Sequence, residues 1–557
     1  MVIERTVLMR ALCGVLLVLG ISVPATAGAD PIPVPFQWRQ AFIDAPDGTR
    51  LHADILRPEG VSDDTKTPVI MTVSPYRNHL AYISQPRVVE KGPNAENMNP
   101  ELFLNAGYTY VVVDLRGYGG SSGCPDFGGP GERSDVKAAV EWAADQPWST
   151  GRVGLAGISY EGWTGLMGLA EKPRGLAAVM SFEPVVDPYA YLYMQGIAWK
   201  FSLKPVTETG VRPGDLAGFE HLLIASTPAR PDDLPEYQAN ASKLPLDCYV
   251  PYLQNTSNHD PNTEFWRDRD LVEKVRGNTI PLFLGQGFAD GNTRADRIFE
   301  LWNGLGPGDH KAWFGQWGHR TCNDKCGTPY FNNEFLAFMD KHVAQRDVTV
   351  PGPRITMGQF DTRWRGETAF PAADVRRVPI GLRTGSYTDR GLIPGPDREI
   401  WTISEPLAQD QHLSGLPSAT ARVTGPREAT ITAEIYDIAP DGRATLVSRG
   451  IAPVGDGNPR IRMLAQDWPI PAGHRIGVRI MDVFDEVWAH PPTFAQVTVT
   501  EASIELPLLT AVRTPDLPGG VSEAIPKWRN EKTITLDAAV VKNATVAMTL
   551  PTRTGDR

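Results

Sequence analysis

The chain is 557 residues long, with 41% hydrophobic and 21% charged side chains. That length exceeds what a single core serves, and the composition is neither fibrous nor disordered, so at least two globular domains are expected. A formal net charge of −11, with no run of lysine or arginine against it, argues against nucleic acid and anionic membrane surfaces as partners and leaves a small molecule.

The N-terminus places Arg5 and Arg10 around the start of an apolar stretch, 11–23, that ends in Ala25-Thr26-Ala27. Basic residues, a short apolar run and a small-residue site together make a secretory signal peptide, residues 1–27. The apolar run falls short of the roughly 20 residues that span a bilayer, so a secreted or periplasmic protein is expected rather than one with a membrane span. Cys13 would leave with the leader, and Cys124, Cys248, Cys322 and Cys326 remain. An even number of cysteines in an oxidising compartment suggests disulfides. The nearness of Cys322 to Cys326 favours that pair, with Cys124 to Cys248 as the other, although spacing leaves the alternative pairings open. A zinc site at His319, Cys322 and Cys326 would need a fourth ligand that the sequence does not supply, so neither metal nor cofactor is expected.

After the leader, 40–57 alternates as a hairpin around Pro46-Asp47-Gly48. Short apolar runs at 68–73, 108–114, 152–156, 176–181, 279–285 and 310–315 read as buried strands, with helical patterns such as 134–146 and 293–305 between them. Strand alternating with helix predicts a mostly parallel sheet with helices on both faces, here over 36–350. The interval 184–276 breaks this rhythm with aromatics, prolines and a helical patch at 214–225, and reads as a helical cap inserted over the sheet. Tyr189, Tyr191, Tyr193, Trp199 and Phe201 either line a pocket beneath that cap or form its core. From 351 to 557 the chain turns to short alternating segments, among them 430–436, 444–448, 474–481 and 494–500, as in an all-β sandwich or jelly roll.

Gly157-Ile158-Ser159-Tyr160-Glu161-Gly162 stands where the strand 152–156 should end and a helix rich in small residues should begin. A serine at such a turn is pushed out to solvent, the arrangement of a nucleophile elbow. The common form is G-x-S-x-G; here the second glycine is displaced by one place and Glu161 stands in its position. A serine hydroxyl needs a histidine to take its proton and an acid to hold that histidine. In the order Ser, acid, His, each on a loop after a strand, the chain offers Asp290 after 279–285 and His319 after 310–315. His310 begins a strand, His342 sits in a helical pattern, and His221 and His259 fall in the insert, so His319 is preferred by position. The Tyr160 backbone N–H, next to the serine, is one donor for a developing oxyanion. No glycine run follows 68–73 to supply the second, and Tyr76 is either a hydroxyl donor or a rim aromatic. Glu161 either holds a substrate ammonium or merely satisfies a helix N-terminus.

These segments resemble the serine hydrolases of the cocaine-esterase and Xaa-Pro dipeptidyl-peptidase type, also near the α-amino acid ester hydrolases. The resemblance runs from Asp47-Gly48-Thr49-Arg50-Leu51 and Ser74-Pro75-Tyr76 through Val113-Asp114-Leu115-Arg116-Gly117 and Gly120-Ser121-Ser122-Gly123 to the elbow. It continues in Phe265-Trp266-Arg267, Ala289-Asp290-Gly291 and Trp317-Gly318-His319. It implies an α/β-hydrolase with a helical cap and a C-terminal jelly roll of galactose-binding type. It also implies Ser159 as nucleophile, His319 as base and acid, Asp290 as orienting acid, Tyr76 and Tyr160 as oxyanion hole, and Asp114 and Arg116 as a scaffold pair. Substrate contacts are expected from Glu161, Trp163, Tyr189, Trp199 and Phe288. The expected activity is cleavage of a carboxylic ester, or an amide, through an acyl-enzyme. Release of N-terminal Xaa-Pro dipeptides from short peptides is the alternative, and a carbohydrate- or surface-binding protein with a vestigial triad is the third reading.

Overall fold

Ten strands build the largest sheet of the computed structural model. The structure describes residues 36–76, 100–199, 233–319, 331–483 and 488–556, apart from 242, 244, 245, 392, 394, 396 and 397. The leader 1–27, the helical patch 214–225, Phe201, His221, Cys322 and Cys326 lie outside the described residues. In chain order the strands are β1 (Phe36–Asp44), β2 (Arg50–Pro58), β3 (Thr67–Ser74), β4 (Thr109–Asp114), β5 (Ser149–Ile158), β6 (Leu176–Phe182), β7 (Leu282–Gly287), β8 (Lys311–Gly315), β9 (Ile355–Gly358) and β10 (Trp364–Glu367). They lie in the order β1-β2-β4-β3-β5-β6-β7-β8-β9-β10. The strands from β4 to β9 in that order are parallel, with antiparallel partners at each end.

Continuous apolar runs make these central strands, because both faces are covered. Val69, Met71, Val73, Val111 and Val113 face one apolar cluster, and Ile70, Tyr110 and Val112 face the other, as the two-residue period of a strand requires. The helix α1 (Pro130–Asp145) starts four residues before the patterned stretch, because Pro130 at its first turn has no N–H to leave unpaired. The helix expected over 293–305 is confined to Ile298–Gly304, since Thr293 and Arg294 are engaged in side-chain contacts described below.

The C-terminal region forms two further sheets, of seven and six strands. Ile431, Ile435 and Val478 from one and Val497, Leu506 and Leu508 from the other share a single core. The change of pattern at 351 is not where the largest sheet ends: β9 and β10 belong to it. Short alternating strands read alike whether they close a parallel sheet or open a sandwich. Two helices, Ala524–Glu531 and Ala538–Ala544, lie in the region that reads as all β.

Among the connections between the parts, a disulfide, a shared sheet and a buried ion pair are found in the described residues. Cys124, after β4, is bonded to Cys248 in the insert helix Leu246–Thr256, with Cα atoms 5.5 Å apart. The insert hairpin Tyr193–Met194 and Ile197–Trp199 continues into Trp488–Ala489 of the C-terminal region as a three-stranded sheet. The buried carboxylate of Asp467 takes both terminal nitrogens of Arg365 on β10, at 2.8 and 2.7 Å, together with His412 Nε2 at 2.8 Å and Ser414 Oγ at 2.7 Å. Asp114 and Arg116, expected as a scaffold pair, are both buried, and each holds partners of its own. Asp114 Oδ2 accepts from Gly120 N and lies 3.2 Å from His52 Nδ1. Arg116 forks onto Asp135 and reaches Asp47.

Candidate active site

Between β5 and the helix α2 (Tyr160–Glu171) the chain turns at Ser159, whose backbone stands at φ 62°, ψ −125°. Few non-glycine residues adopt such a conformation, and it costs on the order of 1–3 kcal/mol, held here by the surrounding packing. Two glycines permit the turn. A Cβ on Gly157 would lie 2.4 Å from the backbone of Glu161, and one on Gly162 would lie 2.6 Å from the Phe182 carbonyl oxygen at the end of β6. The close approach to β6 therefore falls at position 162, and position 161 is free to carry a side chain. That is the physical content of the displaced glycine.

Glu161 turns inward, not toward a substrate. Its carboxyl accepts the Ser74 hydroxyl at 2.7 Å, and Ser74 Oγ in turn accepts the Tyr76 N–H at 3.0 Å. Burial pushes its pKa up to about 7, against the hydrogen bond from Ser74. A carboxyl raised above its unfolded value of 4.5 contributes stability that is fully present below that value and is lost as pH rises through about 7. Glu161→Gln should therefore flatten the fall in thermal midpoint between about pH 5 and about pH 8, with up to about 3 kcal/mol of pH-dependent stability removed. Equal slopes in the two proteins would count against it.

Tyr76, after β3, places its hydroxyl 3.0 Å from Ser159 Oγ, to which it donates, and accepts the Tyr160 N–H at 3.2 Å. The Tyr160 side chain is drawn away to α1, where its hydroxyl donates to buried Glu132 at 2.7 Å. On the far side, His319 Nδ1 lies 2.8 Å from Asp290 Oδ2. Asp290 also accepts from Asn292 N at 2.7 Å and lies 2.8 Å from the Thr293 hydroxyl. Burial works to raise Asp290, but the charge and hydrogen bond of His319 outweigh it and hold the carboxyl below its ordinary value.

The loops carrying Asp290 and His319 are joined by Phe288 N to Gly315 O at 2.7 Å and Ala289 N to Trp317 O at 3.2 Å. Gln316, three residues before the histidine, donates to Gln466 Oε1 at 3.0 Å and to the Asp467 carbonyl at 3.2 Å, so the C-terminal region backs the histidine loop.

The five expected substrate contacts divide. Glu161 lies beneath the elbow, as described. Trp163 is fully buried between Phe127 and Tyr160, and Phe288 packs on Phe299 and Phe370 in the same core. Tyr189 is committed to the insert, with its hydroxyl on the His259 carbonyl and its ring against Tyr193 and Trp266. A single sequence cannot distinguish such core aromatics from pocket aromatics, because both are apolar and local. Trp199 reaches the site: its indole N–H donates to the Gly291 carbonyl at 2.9 Å, and the Arg294 guanidinium stacks 4.4 Å above its ring.

Glu183 was not expected. It follows β6 directly, so the pattern of the other site residues, each just after a strand, was the signal that could have found it. It is buried, and one donor atom each of Glu183, Asp290 and His319 lie within 4.8 Å of one another. Such a trio could hold a cation, but each member is already engaged by protein donors or by another member.

The profile of the X-Pro dipeptidyl-peptidase (S15) family matches residues 47–321, and that of the X-Pro dipeptidyl-peptidase C-terminal non-catalytic domain matches 349–481. A provisionally named Xaa-Pro dipeptidyl-peptidase of Streptomyces avermitilis is 25% identical over 451 residues, covering 70% of this chain and 62% of its own length. The cocaine esterase of a Rhodococcus species is 24% identical over 488 residues, 73% of this chain and 81% of that protein. The solved structure of an α-amino acid ester hydrolase superimposes with a TM-score of 0.64 at 16% identity, over 88% of this chain and 99% of that one. With its parallel sheet and C-terminal β domain, the chain belongs to the serine hydrolases of the X-Pro dipeptidyl-peptidase and cocaine-esterase family.

Proposed function

We propose that the protein is an exported serine hydrolase that cleaves carboxylic esters of small molecules through an acyl-enzyme. The observation that carries this reading is the Tyr76 hydroxyl, hydrogen-bonded to both Ser159 Oγ and the Tyr160 N–H. In the resting site Tyr76 donates to the serine. A substrate carbonyl oxygen entering between Tyr76 and Tyr160 would take both donors, which then meet the negative charge as it develops. Ser159 Oγ attacks the carbonyl carbon and gives its proton to His319 Nε2, the nitrogen not engaged by Asp290. Asp290 balances the imidazolium. Collapse of the tetrahedral adduct breaks the bond to the leaving alcohol, which takes the proton from His319. Water then repeats the sequence on the acyl-enzyme and returns the free acid.

An Xaa-Pro dipeptidyl-peptidase would need a carboxylate for the substrate's free ammonium. Glu161, the acid nearest the nucleophile in sequence, is committed to Ser74 beneath the turn, and this favours the ester. Export rests on the leader pattern at 1–27. Among the described residues no helix is long and apolar enough to cross a membrane.

The test compares p-nitrophenyl acyl esters with glycyl-prolyl p-nitroanilide on the purified protein. We expect turnover of the esters and labelling by a fluorophosphonate. Turnover of the dipeptidyl substrate alone would replace the ester reading with the peptidase one.

A further inference from the structure

Glu183 is a buried acid to which this mechanism assigns no role, and it lies against both Asp290 and His319. Its backbone stands at a positive φ of 44°, uncommon for a residue with a side chain, and its amide is held by the Gly285 carbonyl at 3.0 Å. Its Oε1 accepts the Gly287 N–H at 2.9 Å and the Trp317 indole N–H at 2.6 Å, and its Oε2 accepts Gln286 Nε2 at 2.8 Å. Gly287 opens the loop of Asp290, and Trp317 lies two residues before His319, so one carboxyl spans both catalytic loops. Thr293, against Asp290, lies 2.9 Å from the Glu183 carbonyl as well.

Asp290 and His319 are the acidic and imidazole groups clustered with it among the described residues. With His319 neutral, no member of the trio offsets a second negative charge beside Asp290, and of two carboxyls this close in a buried site one is pushed strongly upward; the donors Gly287, Trp317 and Gln286 act the other way without outweighing burial and the charge of Asp290. We propose that Glu183 is a positioning residue of the triad that stays protonated, shares its proton with the Asp290 carboxylate, and keeps a single negative charge behind His319. Burial and the charge of Asp290 both push the Glu183 carboxyl upward, in agreement with this. The consequence lies in His319. The group that accepts the serine proton keeps the same charge behind it whether position 183 carries a protonated glutamic acid or a glutamine.

This inference rests on the proposed triad, and the experiment separates the two. The rate of fluorophosphonate labelling is followed against pH for wild type, Ser159→Ala, Glu183→Gln and Glu183→Ala. Labelling of wild type but not of Ser159→Ala establishes the nucleophile, and its failure removes the triad reading whatever Glu183 does. With the nucleophile established, Glu183→Gln, neutral at every pH, should keep the acid limb of the profile within about half a unit of wild type. Glu183→Ala should label at least about tenfold more slowly, because both loops lose their shared anchor. A limb displaced by more than about half a unit in Glu183→Gln would mean that Glu183 is ionised in the wild type, and would overturn the proposal. So would wild-type labelling rates in Glu183→Ala. Should the variants fail to fold, a neutron structure of the wild-type protein decides the matter, with a deuteron on Glu183 expected and its absence overturning the inference.

Discussion

Replacing Ser159 by alanine is expected to lower kcat for a p-nitrophenyl ester by on the order of 10⁴- to 10⁶-fold and to abolish fluorophosphonate labelling. The loss is large because the acyl-enzyme cannot form, leaving only the oxyanion donors and binding to act on a water. Alanine meets the same positive φ at the elbow as serine does, so the turn should survive. The thermal midpoint should move little, with the hydroxyl partner of Tyr76 as the interaction removed. Stopped-flow kinetics and intact mass after labelling check both halves. A variant that still turns over ester at the wild-type rate, or carries the label on another residue, would place the chemistry elsewhere.

Tyr76→Phe should lower kcat by on the order of 10²-fold, about 2.7 kcal/mol of barrier, with KM changed far less. Phenylalanine keeps the ring and whatever surface it offers a substrate, and removes only the donor. The rim-aromatic reading therefore predicts an unchanged kcat, and the oxyanion reading predicts a loss confined to the chemical step. Steady-state kinetics on one ester separate the two. The backbone donor of Tyr160 remains in the variant, which is why the expected loss is smaller than that for Ser159.

Much of the catalytic sheet was legible because each buried parallel strand is itself an apolar run, and each falls within a few residues of its patterned stretch. The elbow was legible for a related reason: strand end, turn and helix start are adjacent along the chain. The helix ends were less so, since Pro130 and the contacts of Thr293 and Arg294 moved them. The change of pattern near 350 did not show that β9 and β10 continue the first sheet, because they look like sandwich strands until their neighbour β8 is seen.

From the sequence alone came the order of serine, acid and histidine on post-strand loops, together with the displaced glycine of the turn. These are local features, carried by residues a few positions apart. Only the tertiary structure decided that Glu161 points inward, that Trp163 and Phe288 belong to the core, that Trp199 touches the Asp290 loop, and that Glu183 lies against Asp290 and His319. Each depends on which side of a turn has room and which distant backbone approaches: Phe182 against Gly162, Ser74 against Glu161, Trp317 against Glu183. Such partners are set by packing across strands far apart in the chain, and no local pattern encodes them.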